Sequence, residues 1–262
     1  MSNKFPEIVI ITGAGQGLGK EVALSLAEEN VQTLLISKTK NCKTVAKTIN
    51  KIGVLCESLV LNIADLNDTE NEIMHWISQY PNKKIGVILC ASRLGNVGGV
   101  LDSNLCDWLD TYKTNVLGNL AVIKGLIPNM LSTKFGKILF LAGGGSCYGY
   151  PLFSGYSLSK TATVREAENL WLELKDKGDF SVACLSPGAM DTKMLEQVKK
   201  AGAEVKTTVD IQEPVDFIKE FLKAENCSFN GKLVHVRDDW KKYFMTENTF
   251  QQSDVWNLRR IQ

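Results

Sequence analysis

Tyr156-Ser157-Leu158-Ser159-Lys160 is the segment of this 262-residue chain whose side chains could move a proton. On a helix, a spacing of four places the phenol and the ammonium on one face. A phenol with an ordinary pKa of ~10 is a poor acid–base group at neutral pH, but a neighbouring ammonium stabilises phenolate and brings the proton within working range. Such a pair suits proton donation to a carbonyl oxygen. Spacing alone does not single it out. Tyr80 and Lys84 repeat it, although Pro81 makes that second pair look like a turn.

Thr12-Gly13-Ala14-Gly15-Gln16-Gly17-Leu18-Gly19-Lys20 carries chemistry of another kind. It follows an apolar run and precedes a helical pattern with Val22 and Leu26 on one face. Glycines at a strand-to-helix turn let the backbone fold tightly and approach a pyrophosphate, whose charge then rests on N–H groups of the helix start. The spacing is T-G-x-x-x-G-x-G. The G-x-G-x-x-G pattern fails at Leu18, and the triphosphate-binding loop fails because Glu21 follows Lys20 and Ala14 stands where its first glycine belongs. A glycine turn without ligand competes with this reading; the strand before and the helix after favour a nucleotide.

These segments need elements to position them. Short apolar runs at 8–11, 33–36, 54–61, 85–90, 137–141, 181–185 and 232–236 recur between helical stretches at 17–30, 42–51, 67–79, 105–131, 156–176 and 214–223. Runs this continuous suit strands covered on both faces. The alternation predicts a doubly wound, Rossmann-type parallel α/β sheet of about seven strands with helices on both faces, a fold that collects ligands at the carboxyl ends of its strands. Tyr156 follows the fifth run and a glycine-rich loop, so it belongs at that edge. No linker, low-complexity segment or fixed-period repeat interrupts residues 1–262, and one domain is expected.

Composition removes several classes of function. With 30 Lys+Arg against 29 Asp+Glu, the net charge of +1 gives no reason to expect nucleic acid or an anionic membrane surface as partner. A 44% hydrophobic and 23% charged chain is globular, which excludes disorder as the main state. Cysteines at 42, 56, 90, 106, 147, 184 and 227 form no C-x-x-C pair, which reads as reduced thiols in a cytoplasm. His75 and His235 have no second plausible ligand near them in sequence, so no metal is expected. No stretch approaches the ~18 apolar residues needed to cross a bilayer, and no targeting segment is read at the start.

The octet at 12–19 with Tyr156-x-x-x-Lys160 resembles the short-chain dehydrogenase/reductase family, and the likeness covers nearly the whole chain. The resemblance implies an NAD(P)-dependent oxidoreductase acting on a carbonyl and secondary-alcohol pair in a small molecule. It places the dinucleotide on Gly13, Gly15, Gln16, Gly17, Leu18 and Gly19, and it assigns Tyr156 to protonate the carbonyl oxygen as hydride arrives from the nicotinamide. Lys160 would lower the Tyr156 pKa and bind the nicotinamide ribose. Asn115, in Thr114-Asn115-Val116-Leu117-Gly118, matches the family's N-V-x-G, whose Asn side chain holds a water that links the lysine to solvent. Pro187-Gly188-Ala189-Met190-Asp191-Thr192 matches P-G-x-x-x-T, with backbone and Thr192 hydroxyl at the nicotinamide carboxamide. Asn62-Ile63 stands for the Asp-Val pair at the adenine, and Cys90-Ala91-Ser92 stands where relatives carry N-A-G beside the adenosine ribose. Ser37 occupies the place where NAD-using relatives commonly carry Asp, and Lys38 follows as a partner for a 2′-phosphate, which favours NADP over NAD. Neutral Gln16 counts the other way, and a surface cluster with Lys40, Lys43 and Lys47 explains Lys38 equally well.

The pattern breaks thirteen residues before Tyr156, where the family's serine is Gly143 within Leu141-Ala142-Gly143-Gly144-Gly145-Ser146. Ser146 bending inward, or glycine N–H groups polarising the oxygen, are the two replacements. The missing serine leaves a second reading open, a non-catalytic NADP-binding relative. A serine hydrolase is not supported, because G-x-S-x-G fails at Gly144-Gly145-Ser146-Cys147-Tyr148. Residues 193–210, polar with Ala201-Gly202-Ala203 in the middle, are expected to form a substrate lid. The helices at 105–131 and 156–176 carry apolar residues such as Leu126, Leu170 and Trp171; relatives pair these helices across a two-fold axis, which implies a homodimer or homotetramer, and the alternative is that they only cover the sheet. The tail Gly231-Lys232-Leu233-Val234 and Leu258-Arg259-Arg260-Ile261, with the triple glycine and Arg165-Glu166-Ala167-Glu168, resembles a subgroup of surface-polysaccharide and sugar-nucleotide pathways. That likeness implies a sugar-derived substrate.

Overall fold

The structure, a computed structural model, describes residues 5–203, 205, 207–225, 227–243 and 256–258. Seven strands form one parallel sheet: β1 (Ile8–Thr12), β2 (Gln32–Ser37), β3 (Cys56–Val60), β4 (Ile85–Leu89), β5 (Phe135–Leu141), β6 (Asp179–Ser186) and β7 (Leu233–His235), in the order β3-β2-β1-β4-β5-β6-β7. β1 shows why the order is stable. All five of its residues are buried, and Ile10 lies opposite Leu34 of β2 on one side and Val87 of β4 on the other. Each such isoleucine removed from water contributes about 1.5–3 kcal/mol.

Alternate residues of the strands feed two separate layers, as the period of two requires. Val9, Ile11, Leu35 and Leu139 pack under α1 (Gly17–Glu28), α2 (Asn41–Lys51) and α8 (Gln212–Lys223). Ile8, Ile10, Val87 and Phe140 pack under α3 (Leu66–Ile77), α5 (Asn119–Thr133) and α6 (Ser154–Leu174). The chain runs outward in both directions from β1 and β4, so the crevice beyond their carboxyl ends is the ligand-collecting point of the fold.

Three expectations are corrected. The helix expected at 105–131 is broken into α4 (Leu105–Tyr112), a π-helical stretch Lys113–Gly118 and then α5. The insertion follows from packing: a side chain at Gly118 would meet the Ile63 carbonyl oxygen at 2.6 Å, so this stretch lies directly on the loop after β3. π-Turns of this kind often occur at functional sites. Residues 193–210 are not merely a polar loop, because α7 (Lys193–Lys200) forms there with Leu195 and Val198 buried. Of the apolar residues on these helices, Leu126 is buried in the α3, α5 and α6 layer, and Leu170 and Trp171 are partly buried against the same layer, so they cover the sheet. The strand expected from 137 begins at Phe135, and Lys137 inside it is buried with its ammonium donating to Ser181 Oγ (2.9 Å) and the Ala224 carbonyl (2.6 Å). A short α9 (Trp240–Tyr243) is the last helix among the described residues, and residues 256–258 lie against β7, where Leu233 N–H donates to the Trp256 carbonyl at 2.9 Å. Arg259, Arg260 and Ile261 lie outside the described residues.

Candidate active site

The glycine turn is glycine by necessity. Gly13 has φ +68°, and a Cβ there would meet the Ala91 backbone at 2.8–2.9 Å. A Cβ at Gly19 would meet the Gly13 carbonyl oxygen at 2.8 Å, so α1 starts as close to the end of β1 as a backbone allows. Thr12 Oγ1 accepts from Ala91 N–H at 3.0 Å and ties β1 to the loop that holds Cys90 and Ser92. Gln16 caps α1 in extended conformation without a side-chain bond to the helix, and no acidic residue sits in the first turn. The first N–H groups of α1, with Leu18 behind them, therefore open on the cleft with no carboxylate in their own turn, and this cradle fits a pyrophosphate.

At the base end, Ser37 and Lys38 line the same cleft, with Ser37 Oγ donating to the Thr39 carbonyl at 2.6 Å. Asn62 also lines it, its Oδ1 accepting from Ala64 N–H at 3.4 Å, and Ile63 is buried beneath Gly118. The Cys90 thiol is pushed up to about 12 by burial, with the Lys160 charge acting the other way. Ser92 Oγ is buried without a hydrogen-bond partner among the described residues, which suits a ligand hydroxyl. On the opposite wall Pro187, Gly188, Met190 and Thr192 follow β6. Gly188 has φ +75°. Thr192 Oγ1 accepts from Leu195 N–H at 3.4 Å and so caps α7.

Tyr156 and Lys160 stand on the first turns of α6 and face this cleft, both buried. Lys160 Nζ donates to the Leu141 carbonyl at 2.8 Å and lies 5.7 Å from the centre of the Tyr156 ring. Lys160 makes no hydrogen bond to the phenol in this arrangement. Burial pushes the Tyr156 phenol above its usual range, and burial pulls the Lys160 ammonium down to about 8. The ammonium is engaged by a carbonyl rather than by the phenol oxygen. The Tyr156 hydroxyl instead donates to Met194 Sδ at 4.0 Å.

Gly143 lies against that hydroxyl: a Cβ at 143 would be 2.3 Å from Tyr156 Oη. The phenol therefore fills the volume in which a serine side chain would begin. Ser146 does not replace it, since its hydroxyl accepts from Gly143 N–H (3.0 Å) and donates to the Gly143 carbonyl (2.5 Å), and so is used in closing its own loop. Asn115 is buried behind the tyrosine. The π-turn aims its amide at the backbone after β4, where Oδ1 accepts from Arg93 N–H (2.8 Å) and Nδ2 donates to the Arg93 carbonyl (2.9 Å) and to Ser159 Oγ (2.9 Å). Ser159 Oγ donates in turn to the Tyr156 carbonyl at 2.6 Å. With both amide hydrogens committed to protein, the side chain ties the loop after β4 to the helix bearing Tyr156 and Lys160.

All these segments border one cleft of about 1870 Å³. A site for one drug-sized ligand spans roughly 300–1,000 Å³, so a dinucleotide and a substrate fit together. Among the described residues there is no group of His, Cys, Asp and Glu side chains able to hold a metal, and no helix long and apolar enough to cross a membrane. Sequence reasoning missed the roof of the site. Leu94, Tyr150, Met194, Val198 and Val205 gather around Tyr156. The spacing Met194, Leu195, Val198 was the available signal for a helix with one apolar face.

Residues 7–203 match the model of the short chain dehydrogenase family, and the chain belongs to that family, the nicotinamide-dependent oxidoreductases of carbonyl and alcohol groups. Among its curated relatives is the 3-oxoacyl-acyl-carrier-protein reductase FabG of Buchnera aphidicola subsp. Schizaphis graminum, 29% identical over 244 residues that span 87% of this chain and 94% of that protein. The mouse (Mus musculus) 17-beta-hydroxysteroid dehydrogenase type 3 is 27% identical over 240 residues, 86% of this chain and 72% of its own. Among solved structures, a single-residue variant of actinorhodin polyketide ketoreductase with NADPH superposes with a TM-score of 0.79 at 22% identity, covering 90% of this chain and 97% of its own, a likeness of fold.

Proposed function

We propose that this protein is an NADP(H)-dependent reductase that interconverts a ketone and a secondary alcohol, working as one domain over residues 1–262. One observation carries the reading: the glycine cradle at 13–19 and the Tyr156 hydroxyl open on the same cleft. When bound there, the reduced dinucleotide supplies a hydride to the carbonyl carbon and leaves oxidised. Tyr156 supplies the proton to the carbonyl oxygen, and water returns it. A phenol held above its usual range by burial stays protonated at neutral pH, which suits the reductive direction. Lys160 holds the strand end at Leu141 and offers positive charge, and Asn115 positions the helix that carries both.

For the cofactor, Ser37 in place of a carboxylate removes the group that would repel a 2′-phosphate, and Lys38 beside it favours NADP. The ketoreductase neighbour, which holds NADPH, points the same way. Seven free thiols support a cytoplasmic site of action. A homo-oligomer is supported by an apolar stripe on α4, where Leu105, Leu109 and Tyr112 recur at four and three residues and are 72%, 53% and 40% exposed, with Leu158 of α6 also exposed. The sugar-derived substrate implied by the tail rests on that likeness alone. The second reading, an NADP-binding protein without catalysis, draws on Gly143.

The test is product stoichiometry. Protein incubated with NADPH and a ketone panel is expected to form alcohol and NADP+ in equal amounts. Titration that shows no association with either dinucleotide overturns the reading, and NADPH binding without turnover of any ketone moves it to the second one.

A further inference from the structure

The surroundings of the Tyr156 hydroxyl narrow the substrate. Leu94, Tyr150, Met194, Val198 and Val205 line the cleft and form one apolar cluster with Tyr156. α7 lowers its apolar face onto this cluster, while Lys193, Glu196 and Lys200 face solvent. The group that meets the hydroxyl across the cleft is a thioether, Met194 Sδ at 4.0 Å, and on the near side Gly143 leaves no room for a second polar side chain. Arg237, which also borders the cleft, is committed to the far limb of the lid, donating to Thr207 Oγ1 (2.7 Å) and the Thr208 carbonyl (3.0 Å). The reacting end of the cleft is therefore walled largely by hydrocarbon and a thioether around the Tyr156 hydroxyl, with the Tyr150 phenol as the polar group carried in that wall.

Resting on the reductase reading above, we propose that the substrate is an apolar ketone, a single carbonyl on an alicyclic, aryl or alkyl body, and that Met194 is a specificity-determining residue whose side chain covers that body. A polyhydroxylated ketone would bring several hydroxyls against a wall whose polar atoms are fewer than those hydroxyls, and each one left unpaired is costly. An apolar body gains from every methylene it buries. α7 must lift for entry, since Met194 occupies the position beside the hydroxyl where the carbonyl oxygen must arrive.

The experiment compares decalone, benzylacetone and cyclohexanone with dihydroxyacetone and fructose, using the full chain and NADPH. Decalone is expected to exceed fructose in kcat/KM by about a hundredfold or more, and to exceed cyclohexanone by about tenfold. Met194→Gln, similar in length but polar at its tip, is expected to raise the KM for decalone about tenfold while leaving the NADPH dissociation constant, read by nucleotide fluorescence, unchanged. Fructose or dihydroxyacetone turned over as well as decalone would overturn this proposal and leave the reductase reading standing. Should no ketone react, calorimetry of decalone on the NADPH-loaded protein decides: absence of binding overturns the apolar site, whereas binding weakened by Met194→Gln supports it and sinks the reductase reading alone.

Discussion

Replacing Gly143 with alanine puts a carbon 2.3 Å from the Tyr156 hydroxyl oxygen and 3.1–3.2 Å from two ring carbons. Ordinary contact begins near 3.4 Å, so the hydroxyl must retreat by about 1 Å. Tyr156 is only 8% exposed and is flanked by Phe153 and Val198, so the retreat carries it off its position rather than into open space. A misplacement of about 1 Å at a reacting group costs roughly a hundredfold in rate, which is about 2.7 kcal/mol of transition-state stabilisation. The assay is steady-state NADPH oxidation with a ketone substrate, alongside a fluorescence titration with NADPH alone. Gly143→Ala is expected to lose about a hundredfold in kcat with nucleotide affinity retained, because the cradle at 13–19 is untouched. Gly143→Ser carries the same Cβ and is expected to lose activity too, although it restores the hydroxyl found in relatives. A kcat within twofold of wild type in both variants would refute the claim that the phenol fills the serine's place.

Further outcomes follow from the same geometry. Glu166 of α6 has both carboxylate oxygens buried without a partner among the described residues, and burial pushes it up to about 8. Because its folded value lies above its ordinary one, its contribution to stability is fully present below pH 4.5, falls as pH rises and is gone above 8. Glu166→Gln is therefore expected to stabilise the fold by about 3 kcal/mol at pH 7 and by progressively less toward pH 5, read by urea unfolding; a difference independent of pH would contradict it. Lys160, pulled down to about 8, is charged below that pH and neutral above, so kcat/KM for reduction is expected to decline through pH 8. A Lys160→Arg variant that kept the same alkaline limb would assign it elsewhere. Asn115→Ala leaves the Arg93 backbone and Ser159 without their partner and is expected to lower both the melting temperature and kcat, with Asn115→Asp restoring only the bond from Arg93 N–H. Ser146→Ala opens the loop bonds to Gly143 without touching substrate, so a loss in kcat above about tenfold would show that its hydroxyl reaches the reaction after all.

The sheet was legible because continuous apolar runs have few other uses: all seven appear as strands, in the parallel arrangement that alternation with helices requires. The glycine turn was legible for the same reason, since its spacing meets a backbone constraint that no other residue satisfies. What sequence could not carry was direction. Asn115 sits where the motif places it, but only the π-turn decides that its amide faces Arg93 and Ser159. Lys160 shares a helix face with Tyr156, yet a carbonyl at Leu141 captures the ammonium, an outcome set by the end of β5 rather than by i,i+4 spacing. α7 was harder to read because its polar residues outnumber the few apolar ones that pack inward, Met194, Leu195 and Val198.

The most direct test of the account is the single-turnover rate of NADPH oxidation when a preformed enzyme–NADPH complex meets decalone, wild type against Tyr156→Phe. The Phe variant keeps the ring and its packing and loses only the hydroxyl. Equal nucleotide binding and a rate lower by at least about a hundredfold in the variant are expected. Equal rates in the two proteins would contradict this.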